Sequence, residues 1–315
     1  LSTSSVAASP EGKPSERNLD PNVRPAGTRT RTSARPHGRP VSLVPTIILI
    51  VGALYCVLPV VWILIASTKT NDELFSTAPF TPQFNGGFLT NMEALFGFNH
   101  GVFGLWALNS AIYAIGGGVL STIVAGAAGY ALGKYRFLGS KWIFRIIVAA
   151  VLLPQVMLVI PQFLLLAKFG MTNNYASVIL PQLVSPFAIY LCKIYAEASV
   201  PDEIVEAARI DGGSEWRIFW SVGSRLMTPA LVTVFLLQFI GIWNNYLLPY
   251  VMLNNDQLYP LTEGLNSLMI ITGGQSAQYS IVVAGVLLSI VPLAVLFLSL
   301  QRYWKIDLIS GGVKL

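Results

Sequence analysis

EASVPDEIVEAARIDGGSEWRIFWSVGSR, residues 197–225, separates two long apolar runs and holds six of the fifteen acidic residues of the chain. The acids are Glu197, Asp202, Glu203, Glu206, Asp211 and Glu215, set against Arg209, Arg217 and Arg225, so the stretch is net acidic in a protein of formal charge +5. Its local pattern is helix, turn, helix. Pro201 suits a first helical position, where its missing N–H costs nothing, and Asp202 and Glu203 then face the positive end of the helix dipole. Gly212-Gly213 offers a left-handed C-terminal cap, and Ser214 can cap the helix that follows. The result is a short surface helix on which Ala207 and Ala208 leave room for another backbone, with Glu206 beside them able to accept a bidentate arginine. The plainer reading is a solvated loop whose acids only cap helices.

Outside this stretch the 315-residue chain is overwhelmingly apolar: 54% of its residues are hydrophobic, 11% are charged, and the mean hydropathy is +0.62. That leaves too little polar surface for a soluble globule, and a membrane protein is the natural class. Six runs reach the roughly 20 apolar residues that a bilayer crossing needs: 43–67, 108–132, 142–166, 176–196, 226–250 and 279–301. The expected fold is therefore all-α, a polytopic bundle of six transmembrane helices with the acidic helix between spans four and five. Pro181 and Pro186 interrupt the fourth run, and Lys193 near its end can snorkel to the headgroups.

Residues 1–42 are rich in Ser, Pro, Gly and Arg and have no apolar run, which predicts a disordered basic tail. The tail is too long and polar for a secretory signal, so no cleavage is expected; nucleic acid is not among the expected partners. With the N-terminus inside, eighteen of the twenty lysines and arginines fall on the cytoplasmic side, and only Lys69 and Lys168 fall outside. The positive-inside rule then puts both termini and the acidic stretch in the cytoplasm of a multi-pass plasma-membrane protein. Acidity on that basic face is all the more informative.

Self-contained chemistry finds little support. Cys56 and Cys192 lie inside apolar runs, His37 and His100 have no partners in sequence, and no metal spacing or nucleophile–base pair occurs. AGYALGKY, 128–135, fails as a phosphate-binding loop: Ala128 replaces the first glycine and Tyr135 the Ser or Thr that would hold magnesium. No cofactor is expected on this chain, and ATP, if used, is hydrolysed elsewhere. An ion-coupled secondary transporter is the alternative, but the six spans contain no Asp, Glu or His to carry the coupling.

Several polar positions inside the spans are candidates for a substrate path. Pro154-Gln155 and Pro161-Gln162 put helix breaks and amides in the third span, where Gln155 and Gln162 either contact a polyhydroxyl solute or bond between helices. The fifth span holds Gln238 and ends in Trp243, Asn244, Asn245 and Tyr246. Rings beside amides suit sugars, although aromatic residues also form the ordinary interfacial belt. Gly118, Gly126, Gly129 and Gly133, with Ala125, make a small-residue stripe on span two that predicts close packing against another helix. Residues 251–278 read as a polar, glycine-rich outer loop.

EAARIDGG resembles the cytoplasmic EAA loop of permease subunits of binding-protein-dependent ABC importers, with Glu206, Ala207, Ala208 and Gly212 on its defining positions. The loop usually ends Ile-x-Leu-Pro; here Val222, Gly223, Ser224 and Arg225 stand there. The tail QRYWKIDLISGGVKL resembles the family's C-terminal signature at Gln301, Arg302, Tyr303, Gly311, Val313 and Lys314, with Asp307 and Leu315 where glycine is usual. The likeness covers about 43–315 as one transmembrane domain and is nearest the smaller permease subunit of maltose-type carbohydrate importers of prokaryotes. It implies alternating-access import of a di- or oligosaccharide and no enzyme activity in this chain. The implied partners are a second permease, two ATPase subunits that bind ATP and Mg, and an extracytoplasmic sugar-binding protein. By the same likeness, Glu206, Ala207, Ala208, Asp211 and Gly212 couple to the ATPase, and Gln301, Arg302, Gly311 and Lys314 in the 302–315 tail region reach toward it. A short basic anchor at the headgroups is the plainer reading of that tail.

Overall fold

The computed structural model describes residues 43–271 and 279–310, with side chains over 43–269 and 279–301. The basic tail 1–42, most of the glycine-rich part of the outer loop, and Gly311 and Lys314 lie outside the described residues, as does the side chain of Arg302. The chain divides within its first helix into Leu1–Val51 and Gly52–Leu315.

Every regular element among the described residues is helical. The order is α1 Leu43–Ala66, α2 Asn71–Ser76, α3 Gly87–Gly97, α4 Val102–Ala111, α5 Gly117–Lys134, α6 Ser140–Val151, α7 Val159–Lys168 and α8 Tyr175–Ile179. After these come α9 Pro186–Ser199, α10 Asp202–Ile210, α11 Glu215–Ile218, α12 Ser224–Leu226, α13 Thr228–Trp243, α14 Leu247–Met252, α15 Leu261–Ile271 and α16 Tyr279–Ser310. Three helical stretches are long and apolar enough to cross a membrane unaided, Leu43–Ala66, Gly87–Lys134 and Tyr279–Gln301. Three bent pairs qualify if each counts as one crossing. A polytopic all-helical membrane protein follows.

The bends fall where the chain loses helical hydrogen-bond donors. Between α6 and the turn beginning at Gln155 the direction changes by 103° around Pro154, and between Tyr175–Gln182 and α9 by 44° around Pro186. At Met227, just ahead of Pro229, it changes by 83°. Proline removes a backbone N–H and crowds the preceding turn, so each break sits where an unbroken helix would be most strained. Runs three and four, which composition presents as continuous, are thus helix pairs, whereas run five starts at the bend after 226 and its last residues, 247–250, belong to the separate α14.

Helix α5 is the hub. Its small residues admit two neighbours: a Cβ on Gly129 would stand 2.5 Å from Cys192 Cβ of α9, and one on Gly126 would stand 2.8 Å from Leu231 of α13. The stripe therefore packs close, on two helices at once. One apolar core lies at the α10 end and takes in Tyr130, Cys192, Val205, Ile218 and Phe219. The other lies at the far end, around Trp106, Tyr113, Trp243, Met252 and Leu265. Sequence composition conceals part of this far end. Within the expected outer loop, α15 buries Leu261, Leu265 and Leu268 at helical spacing, and Gly264 lies flat against the Trp106 ring, 2.2 Å from where a Cβ would be.

Candidate functional site

The acidic stretch folds as its local signals dictate, with a shift of one residue. Pro201 occupies the N-cap rather than the first helical turn (φ −63°, ψ 137°), and Asp202 and Glu203 begin α10. The helix closes through Asp211 N–H to Ala207 O and Gly213 N–H to Ala208 O, both 3.0 Å. Gly212 takes φ +78° in open space, where only its backbone freedom is required. The Ser214 hydroxyl then accepts from the Arg217 N–H and starts α11. Val205 and Ile218 are buried in the core, which anchors one face of the helix pair and turns Glu206, Ala207 and Asp211 outward, with Ala208 half-buried.

The six acids divide into two sets. Glu197 pairs with Lys193, Asp202 with Lys134 and Glu215 with Arg209, at 2.7, 2.8 and 2.7 Å. Hydrogen bonding from Lys134 holds the Asp202 carboxyl below its usual range, and Arg209, followed by the Tyr135 hydroxyl, does the same for Glu215. The carboxylates of Glu203, Glu206 and Asp211 have no partner among the described residues and face outward. Of the three pairs, Asp202–Lys134 ties the helix pair to α5, Glu215–Arg209 closes α10 on α11, and Glu197–Lys193 lies within α9.

A second constellation sits where the breaks at 152–154 and 183–185 meet the C-terminal end of α13. A cavity of about 360 Å³ is lined by Gln155, Gln162, Gln182, Ser185, Gln238 and Asn245, with apolar walls that include Val159 and Ile242. Gln238 Nε2 donates to Ser185 Oγ at 2.9 Å, and Asn245 Nδ2 donates to Gln182 Oε1 at 3.4 Å while its Oδ1 accepts from Leu248 N–H. The side chains of Gln155 and Gln162 have no hydrogen-bond partner among the described residues. Four of the five amides singled out in the sequence thus share one cavity. Asn244 does not: at the end of α13 its amide turns back to Ile240 O, and it lines a different pocket with Trp243, Tyr246 and Asn266. Gln182 and Ser185 escaped the sequence reading, although Pro181-Gln182 repeats the Pro–Gln pairing of 154–155 and 161–162. Gln301 is exposed on α16, which continues beyond it to Ser310.

The family described as "Binding-protein-dependent transport system inner membrane component" matches residues 118–305. The chain belongs to that family. The arabinooligosaccharides transport system permease protein AraQ of Halalkalibacterium halodurans is 35% identical over 263 residues, 83% of this chain and 92% of the relative. The lactose transport system permease protein LacG of Rhizobium radiobacter is 27% identical over 267 residues, 85% and 94% of the two chains. Among solved structures, a bacterial ABC transporter involved in import of the acidic polysaccharide alginate matches with TM-score 0.71 and 26% identity, over 83% of this chain and 95% of that one. The protein is the permease component of a binding-protein-dependent ABC importer. Within the permease, the matched region begins in α5 and takes in the cavity, α10 and most of α16, leaving α1 to α4 outside it.

Proposed function

We propose that this permease carries a neutral di- or oligosaccharide through the cavity between its broken helices, driven by separate ATPase subunits that engage α10 as a coupling helix. In this reading the chain crosses the membrane six times, with both termini and α10 in the cytoplasm, and works with a second permease, two ATPases that bind ATP and Mg, and an external sugar-binding protein. Glu206, Ala207, Ala208, Asp211 and Gly212 form the docking face, and the end of α16 approaches the same machinery through Gln301, Arg302, Gly311 and Lys314. The relatives named for arabinooligosaccharides and lactose support the substrate class.

The observation that carries the reading is the convergence of uncharged amides on one cavity at two of the helix breaks and the end of α13. Amides and a hydroxyl offer donors and acceptors without net charge, which suits a polyhydroxyl solute, and about 360 Å³ falls within the roughly 300–1,000 Å³ of small-molecule sites. Closure of the ATPase dimer would move α10 as a rigid lever, because Val205 and Ile218 root it in the core. Glu206, outward and unpartnered, would meet an arginine of the ATPase. In proteoliposomes holding the whole complex, Glu206→Ala is expected to abolish uptake while the subunit still inserts and assembles. Uptake at the parental rate would sink the lever.

A further inference from the structure

The two ends of α10 are fastened to two consecutive residues at the end of α5. At the N-terminal end, Lys134 Nζ donates to Asp202 Oδ1 at 2.8 Å. The lysine side chain is only 5% exposed, against 76% for the aspartate, so its stem is packed and its charge is committed to that one carboxylate. At the C-terminal end, Arg209 Nε donates to Glu215 Oε1 at 2.7 Å, closing the turn between α10 and α11. Tyr135 joins this pair, with the guanidinium 5.8 Å from its ring centroid and its hydroxyl toward Glu215. Tyr135 is held in turn by Tyr130, edge-on at 5.7 Å, and Tyr130 packs on Phe219 at 5.3 Å.

A helix held at one end can swing. A helix held at one end by the last residue of a second helix, and at the other by the residue that caps it, carries that second helix with it. From the fastening, α5 runs between α9 and α13, and at its opposite end a Cβ on Gly117 would stand 2.9 Å from Ile242 Cδ1, which lines the cavity wall. We infer that Lys134 and Tyr135 are positioning residues that clamp the coupling helix to α5, making α5 the strut by which motion of α10 reaches the cavity. The inference rests on the coupling role proposed for α10 and adds the route by which that motion travels.

The test uses the complete importer in proteoliposomes, with ATP hydrolysis and solute uptake followed together. Lys134→Asp places two carboxylates at the joint and is expected to lower solute moved per ATP about tenfold, the size of a typical coupling free energy, with hydrolysis largely retained. The double variant Lys134→Asp/Asp202→Lys restores the opposite charges and is expected to recover the ratio. A structural brace alone would lower assembled complex and both rates together. Tyr135→Phe, which removes one oxygen and leaves the packing, gives a second reading if the charge variants assemble poorly; a several-fold fall in the ratio is expected. An unchanged ratio in Lys134→Asp or Tyr135→Phe, or a double variant no better than the single, overturns the clamp. Glu206→Ala run alongside separates the two ideas. Loss of uptake there with intact clamp variants removes only the strut, whereas normal uptake in Glu206→Ala removes the lever itself.

Discussion

The two ends of the bundle are held by different forces. At the α10 end the polar contacts are ion pairs in which at least one partner is exposed or half-exposed, Lys193 with Glu197, Lys134 with Asp202 and Arg209 with Glu215. At the far end the side chains are neutral and bond to backbone. Trp106 Nε1 donates to Asp256 O, Asn109 Nδ2 to Gln257 O and Tyr259 O, and the Tyr113 hydroxyl to Leu258 O. These four contacts lace the segment before α15 to α4 and the turn after it. Ion pairs that reach the surface are individually worth less than buried donors and acceptors, whose loss leaves a desolvated group unpaired. Losing one polar contact therefore costs more at the far end than at the α10 end.

The contrast is most easily broken at Asn109, which is fully buried and also accepts from the Tyr175 hydroxyl at 2.7 Å. Asn109→Ala strands two carbonyls and a phenol, and is expected to cost about 3–5 kcal/mol, read as a large fall in the melting temperature of purified protein. An unchanged melting point would mean that the lacing is ornamental. A smaller effect belongs to Glu263 on α15, 4% exposed with Oε2 unpartnered. Burial pushes its carboxyl up from 4.5 to about 7. The folded state therefore prefers the protonated form: stability is full below the ordinary carboxylate value and is lost as pH rises through about 7. Glu263→Gln should flatten the melting temperature between pH 5 and 8, removing a difference on the order of 1–2 kcal/mol. An equally sloped profile in the variant would point to another group. The mildest change is at the α10 end, where Gly212→Val forces a left-handed backbone on a branched residue for about 1–2 kcal/mol. It should raise amide exchange in 207–213 and leave the melting point nearly unmoved, while Gly212→Asn, which tolerates that conformation, should change neither.

How much of this could be read beforehand follows the same division. The acidic stretch was legible because its rules are local: Pro201, Gly212 and Ser214 each act on the next few residues, and only the N-cap position moved. The glycine stripe of α5 announced close packing but could not say that Gly129 meets α9 while Gly126 meets α13, since that depends on residues about 60 and 100 positions away. At the cavity, residue type was visible and direction was not. Asn244 and Asn245 are adjacent, but at the end of α13 one caps backwards to Ile240 and the other forwards to Leu248. Hardest to see was the lacing of α4 to 256–261, whose donors are ordinary residues of an apolar run and whose acceptors are anonymous backbone carbonyls.

The three interrupted helices have one more implication. Because the breaks at 152–154, 183–185 and 227 come already made, segments on either side can pivot without any helix having to melt. If the cavity is the path proposed above, reorientation requires its amides to exchange partners, and a hydroxyl-rich passenger would supply substitutes for the bonds given up. In that arrangement the cargo itself would lubricate the joint through which it passes.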